Sequence, residues 1–434
     1  MNDDSAEFTI HPDDPEATGP LEPASLAADD PVVSEPAVDD ATVDLGALPV
    51  SELMADDAAV PAEVTDPIAR RRAEIDERQA TVARVLAAMG CEAAILFVPA
   101  HVAWFTSGIN VRGLLSDTER PGVYTNGRQR WLVCSNVDSQ RLFDEELDQL
   151  GFQLKEWQWG TGRAVLLGEL VTGKKIAADR PFPSLQLIND RLRTEIRPLG
   201  AYARDLYREL GELVAHALEA TGRTISPGLT EREIAGQIAH RMYHHGVDVA
   251  GITVTADGRG DKFRRAGFTD ATADHACVIQ ATGTMNGMFA TASRTVCFGP
   301  PDLAFKAAYN AAARLSAVYR AMTAPGESVG TAGEAGRAMV ANTAHEFEWR
   351  HSQPGYGTGW MAAEELRRMG QDERFAAGQA LVWQARVGPA AVVDTVLVGE
   401  TEPVMITPPA DWPYKRAKLL GRSFPVPDLF VHTH

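Results

Sequence analysis

Cysteine is scarce in this chain: Cys91, Cys134, Cys277 and Cys297 are the four present in 434 residues. No two of them form a Cys-x-x-Cys pair. A disulfide framework, a zinc ribbon and a thioredoxin-type redox pair are therefore excluded, and four small buried apolar residues are expected. Apolar runs are short as well; none approaches the ~20 residues of a membrane-spanning helix. The N-terminus has no basic stretch leading into an apolar one. A cytoplasmic protein without a membrane partner is expected. There is no G-x-S-x-G, no phosphate-binding loop and no G-x-G-x-x-G following a strand.

Positive charge is absent from one whole region. Residues 1–66 contain 18 Asp or Glu and no Lys or Arg, which equals the full formal charge of −18. The 59 acidic residues less these 18 leave 41, matched by 41 Lys and Arg. The remainder is thus neutral and offers no basic field to nucleic acid. Rich in Asp, Glu, Ala and Pro with no sustained period, residues 1–66 cannot bury enough apolar surface to offset their ordering entropy. They are expected to form a disordered acidic arm.

From Ile68 the pattern changes. IARRRAEIDERQATVARVLAAMG carries apolar residues at helical spacing and ends at Gly90, the signature of an amphipathic helix with its C-cap. CEAAILFVP, WFTSGINVRGLL, RQRWLVCSN and KKIAAD read as strands, and DSQRLFDEELDQLG as a helix. Strands alternating with helices over 68–198 predict an α/β domain. Residues 200–434 contain an internal repeat: Pro227-Gly228 and Pro325-Gly326 each follow a long helix and precede a second one. Thr230 and Glu233 form a capping box for the first of these second helices, with Ile234, Ile238 and Met242 on one face. Each copy then runs into two strands, ACVIQATG and MFATASRTVCFG in the first, QALVWQARV and AAVVDTVLVG in the second. Two helix-plus-sheet halves predict a pseudo-twofold domain with a ligand cleft between them.

The series PGLTEREI, GMFATASRTVCFG, PGYGTGW, GQALVWQ and VVDTVLVGETEPVMIT resembles the creatinase, prolidase and Xaa-Pro aminopeptidase family, peptidase family M24. The resemblance implies an α+β architecture: a pita-bread domain of pseudo-twofold half-repeats over 200–434, preceded by a creatinase-like α/β domain over 68–198. It also implies a homodimer. Peptidases of that family hold two divalent metals through two Asp, one His and two Glu. On the matching motifs those ligands fall at Ala281, Thr291, Tyr356, Gln384 and Val393. None supplies an anionic oxygen to offset the four positive charges of two adjacent metals, so no metal and no other cofactor is expected. Creatinase, the metal-free member, is matched in fold only: Ser293 and Val393 replace its glutamates, and GRGDKFRRAG has no His where its catalytic one belongs.

Two functions remain open. The first is a metal-independent hydrolase-like enzyme acting on a small amide, an amino-acid derivative or a short peptide. His351 and Tyr356 are its catalytic candidates; Arg264, Arg265, Trp360, Gln384 and Arg386 are its substrate-binding candidates. Arg120 is added as a contact made across a dimer. The second is a noncatalytic protein that binds a small ligand or a protein partner. A cavity that loses carboxylates and gains arginines changes from cation-binding to anion-binding. The structural alternative is that these arginines lie on the surface or pair with Glu364 and Glu365. Arg259-Gly260-Asp261 and the run HEFEWRH, His345 to His351, are set aside as decoys.

Overall fold

Helix α1 (Pro67–Met89) forms as its periodicity predicts, burying Ile75, Val82 and Leu86 on one side. The side chain of Asp66 accepts from Ile68 N at its start, and Gly90 ends it at φ +65°. The computed structural model describes residues 66–433 other than 114, 342, 352 and 420. Apart from Asp66, the acidic arm expected over residues 1–66 lies outside the described residues.

After α1 comes a six-stranded sheet. Its strands are β1 (Ala93–Leu96), β2 (Gly122–Thr125), β3 (Arg130–Ser135), β4 (Gln153–Trp157), β5 (Ile176–Ala178) and β6 (Gln186–Leu187), in the order β4-β3-β2-β1-β5-β6. One expectation is corrected here. Trp104, Phe105 and Thr106 do not open a strand but close a second helix, α2 (Pro99–Thr106). Pro99 suits the first helical turn, and Val102 to Phe105 are buried on every side. With no polar face, the run carries no helical period to read. Helix α3 (Ala164–Val171) covers one sheet face with Leu167 and Leu170.

The two halves beyond residue 200 repeat one plan. In the first, α4 (Ala201–Thr224) leads through Gly228, at φ +89°, to α5 (Glu231–His244). Then come β7 (Asp248–Ala256), β8 (Ala276–Met285) and β9 (Met288–Phe298). In the second, α6 (Leu303–Ala321) leads through Gly326, at φ +86°, to α7 (Val329–Val340). It continues with β10 (Gly355–Gly357), β11 (Glu364–Glu365), β12 (Ala380–Val387), β13 (Ala390–Leu397) and β14 (Val404–Met405). The Thr230–Glu233 capping box is present, and Ser328 with Thr331 forms its counterpart on α7. Among the described residues no helix is long and apolar enough to cross a membrane.

The first half's sheet has the order β15-β9-β8-β7, where β15 is Phe430–His432; the second's is β11-β10-β12-β13-β14. They meet along β9 and β13. Thr291 N donates to Thr395 Oγ1 at 2.8 Å, Thr395 Oγ1 donates back to Thr291 O at 2.8 Å, and Val393 N donates to Ser293 Oγ at 2.8 Å. Successive side chains alternate between faces. Ile279, Ala281, Ala290 and Ala292 pack beneath α4 and α5, while Leu381, Trp383, Ala385 and Val392 pack beneath α6. The remaining alternate residues line a crevice between the halves.

The N-terminal part is fastened to this domain by buried charge. Glu74 of α1 accepts from Tyr202 N at 2.9 Å and Ala203 N at 3.3 Å, capping α4, and also binds Ser107 Oγ at 2.7 Å and Arg78. A Cβ on Gly200 would lie 2.2 Å from Glu74 Oε2, so any side chain there would push this carboxylate off the start of α4. Arg197 grips Glu364 of β11 with two bonds of 2.8 and 2.7 Å and also reaches Glu373.

Candidate functional site

The crevice residues follow from register. The Asn286-Gly287 turn, with both φ values positive at 51° and 73°, joins β8 to β9 in the manner of a two-residue hairpin. This pairs Thr282 with Thr291 and Gln280 with Ser293. Across the seam, β12 and β13 pair Gln384 with Val393 and Arg386 with Ala391. Thr291 Oγ1 lies 2.8 Å from Thr282 Oγ1 and 3.1 Å from the Tyr356 hydroxyl. Gln384 also hydrogen-bonds Tyr356. Beneath them Val278, Val382, Ala391 and Val393 form a small apolar floor against which Tyr356 packs. Gln280, Thr282, Tyr356 and Gln384 remain half-buried, which leaves the polar rim open to solvent.

The first ligand position is thereby corrected. Ala281 does not face the crevice; it is sealed in the core beneath α4 and α5. Its neighbours Gln280 and Thr282 occupy the crevice face beside Thr291. The correction leaves the chemistry unchanged, because Gln and Thr are as uncharged as Ala. Among the described residues no group of three or more His, Cys, Asp or Glu is placed to hold a metal ion. A donor set of Gln280, Thr282, Thr291, Tyr356 and Gln384 around a valine does not fit two hard divalent ions.

Charge in the crevice is positive and arrives from both halves. Arg386 is 9% exposed. Its Nη2 donates to Gln280 Oε1 at 2.8 Å, and its Nε is buried with no partner. No carboxylate among the described residues pairs with it. Burial pulls its pKa down, and nearby Arg264 adds to the effect. Arg264 is itself neutralised: Nη2 meets Glu348 Oε2 at 2.9 Å and Nη1 donates to Gly388 O at 2.6 Å. Burial raises the Tyr356 hydroxyl pKa against the pull of its hydrogen bonds to Thr291, Thr282 and Gln384.

Tyr356, Gln384, Arg386 and Arg264 are therefore brought together, and the other candidates are not. His351 is exposed, follows a short 3-10 turn and has no side-chain bond to Tyr356. Arg265 is exposed and donates to Gln353 Oε1 at 2.9 Å. Trp360 is only 2% exposed and lies inside the core with Arg78 4.9 Å above its ring, so it fills space between α1 and the seam. Arg120 belongs to the N-terminal part, 3.7 Å from Asp117. The expected alternative pairing with Glu364 is also corrected: that acid belongs to Arg197, and the partner of Arg264 is Glu348 from the HEFEWRH run. Arg259 of the Arg-Gly-Asp tripeptide is occupied by Glu231 at 2.6 Å. Gln280 and Thr282 were missed, although strand alternation with Thr291 would have found them. A separate cavity of about 620 Å³, walled by Phe97, Leu167, Val171 and Phe182 with Thr118 two residues from Arg120, sits at the ends of β1 and β5, and none of the crevice residues lines it.

Residues 205–399 match metallopeptidase family M24. A dipeptidase from Mycobacterium ulcerans is 19% identical, with a TM-score of 0.64 over 78% of this chain and 96% of that one. The prolidase from Pyrococcus horikoshii OT3 is 14% identical, with a TM-score of 0.65 over 76% and 98%. An Xaa-Pro dipeptidase from Bacillus anthracis is 14% identical, with a TM-score of 0.64 over 83% and 100%. At such identities the likeness establishes a shared fold. No curated protein matches the sequence significantly.

Proposed function

We propose that this chain, a member of metallopeptidase family M24 through its residues 205–399, uses the family's crevice to bind a small molecule without metal-dependent peptide hydrolysis. One observation carries the reading. At and beside the positions where the family resemblance puts metal ligands, the crevice presents Gln280, Thr282, Thr291, Tyr356, Gln384 and Val393, none of them a carboxylate, with Thr282, Thr291 and Tyr356 joined by hydrogen bonds. Activating water near neutral pH takes either a bound metal or a general base within hydrogen-bond reach of it. Among the described residues neither a metal-ligating cluster nor a side-chain general base bonds to the Tyr356 hydroxyl, and burial raises the pKa of that hydroxyl, which keeps it protonated near neutrality.

A metal-independent hydrolase is the weaker reading because His351 stands outside the crevice. What supports binding instead is the combination of a half-open polar rim, an apolar floor and an uncompensated cation. Such a mixture holds small organic ligands. The test is elemental analysis after incubation with Mn, Co and Zn and exhaustive dialysis, together with an assay on Xaa-Pro dipeptides. Substoichiometric metal and no hydrolysis are expected. Two retained ions per chain, or hydrolysis that follows added Mn, would overturn the proposal.

A further inference from the structure

We infer that the cavity at the carboxyl ends of β1 and β5 takes a small amphipathic carboxylate, its acid group on the guanidinium of Arg163 and its apolar body against Phe97 and Leu167. This second site lies in the N-terminal part and is independent of the crevice.

The space for a ligand is present. The cavity of about 620 Å³ is lined by residues of the parallel strands β1 and β5, of the segments that follow them, and of helix α3. Its volume falls within the range of small-molecule pockets, roughly 300–1,000 Å³. The carboxyl ends of parallel strands are also where α/β sheets commonly receive ligands. Ile95, Phe97, Leu167, Val171 and Leu185 form the walls, and Phe182 is 41% exposed beside them. Such side chains offer water no hydrogen bond, so an apolar body that displaces it is favoured.

The polar side chains of the lining are Thr118, Arg163, Asp179 and Arg180. Two of the three charges are already engaged. Asp179 accepts from Phe97 N at 2.8 Å and Val98 N at 2.7 Å and meets His101 Nδ1 at 3.0 Å, which spends it on the turn into α2. Arg180 Nη1 bonds Asp117 Oδ2 at 3.0 Å. Arg163 differs. Its Nη1 donates to Asp117 O at 2.8 Å, but its Nε and Nη2 bond nothing among the described residues, and neither atom is sealed from solvent. No carboxylate among those residues pairs with it. Burial and then Arg180 lower its pKa, which Asp117 and Asp179 offset only in part. The Nε–Nη2 edge presents two parallel donors, the fork that a carboxylate matches. The same guanidinium lies 4.5 Å from the centre of the Phe97 ring, so an acid held there has its body beside the apolar wall. The start of α3, which has no side-chain cap, opens on the same cavity and favours the same sign of charge.

The experiment is calorimetric titration of the full-length chain with sodium octanoate, octanamide, sodium acetate and inorganic phosphate, repeated on Arg163→Met, Arg163→Lys and Val171→Phe. Arg163→Lys keeps the charge without the fork and carries the test should Arg163→Met fail to fold; circular dichroism checks each variant. Octanoate is expected to bind once per chain. Octanamide and acetate, which lack the charge and the body respectively, are expected to bind about tenfold more weakly or worse, as is octanoate on Arg163→Met. Octanoate on Arg163→Lys is expected to fall between wild type and Arg163→Met, and Val171→Phe, which narrows the wall, to weaken it. Undiminished octanoate binding to both Arg163 variants overturns the role of that residue. Equal binding of octanamide overturns the anionic class, and preference for phosphate overturns the carboxylate. Undiminished binding to Val171→Phe places the body elsewhere and overturns the cavity. Failure of octanoate on the folded wild type, including the case in which a second copy of the chain fills the space, overturns the inference.

Discussion

Arg294 and Glu219, neither more than 1% exposed, meet at 2.8 Å between Nη2 and Oε1. The arginine of the Ser-Arg-Thr motif is thus a structural tie. From β9 it reaches helix α4 through Glu219, the loop after β14 through Thr407 O at 3.2 Å, and β13 through Asp394 at 3.5 Å. Removing it strands Glu219 with only the backbone donors of Ala410 and Asp411. Arg294→Met is expected to lose about 3–5 kcal/mol of unfolding free energy, read from urea denaturation. A loss under about 1 kcal/mol, the range of an exposed pair, would refute the tie.

Glu231 sets an acid-side limit on stability. It is fully buried on α5, where its carboxylate accepts from Ala256 N, Arg259 Nε, Thr269 N and Thr269 Oγ1. Burial alone would raise its pKa, but these donors hold it below the ordinary carboxylate value. A depressed folded pKa gives stability that is complete above the unfolded pKa and is lost as pH falls through the folded one. Glu231→Gln is therefore expected to lose roughly 2–3 kcal/mol at pH 7 and to show a shallower decline below pH ~4.5 than wild type. Parallel pH–stability curves would contradict this.

Thr291 and Tyr356 act as a coupled pair. Thr291→Val removes the hydroxyl that bridges Thr282 and Tyr356, and a cost of about 1–2 kcal/mol is expected. Tyr356→Phe removes the other end. Because each change already breaks the shared bond, the double variant is expected to lose less than the two singles added. Strict additivity in thermal unfolding would mean that the bond contributes nothing.

Gly211 on α4 offers a test of sign. At an ordinary interior helix position, Gly→Ala stabilises by about 1 kcal/mol. Here a Cβ would stand 1.9 Å from Ile406 O, a backbone atom that cannot swing aside. Gly211→Ala is expected to destabilise by about 3 kcal/mol, lowering the melting temperature. An unchanged or raised value would show that α4 and the β14 segment are free to part.

Much of this architecture was legible because it is written locally. The Pro-Gly turns, the Thr230–Glu233 box and the four hairpin strands of the half-repeats are short-range signals, and each forms where it was read. Helix α2 escaped because a helix buried all round has no polar face to mark its period. Ala281 was misplaced for a different reason: a one-residue error in counting along a strand moves a side chain to the opposite face. Only pairing against Thr291 fixes the count. Trp360 was read as a cleft residue because nothing near it in sequence reveals that Arg78, on the first helix, covers its ring. The acid belonging to Arg264 sat in plain view in HEFEWRH, but charge pairs between distant segments leave no spacing to recognise.

Glu74 and Gly200 carry a consequence for how this protein divides. The family-matched segment begins at residue 205, yet the first turn of α4 draws its terminal acceptor from a helix more than a hundred positions upstream. A fragment severed at that boundary would begin past Tyr202 and Ala203, losing the capped turn together with its acceptor, and would leave the Trp360 indole uncovered. The front portion is an abutment of the pita-bread domain, and the two are expected to melt as one.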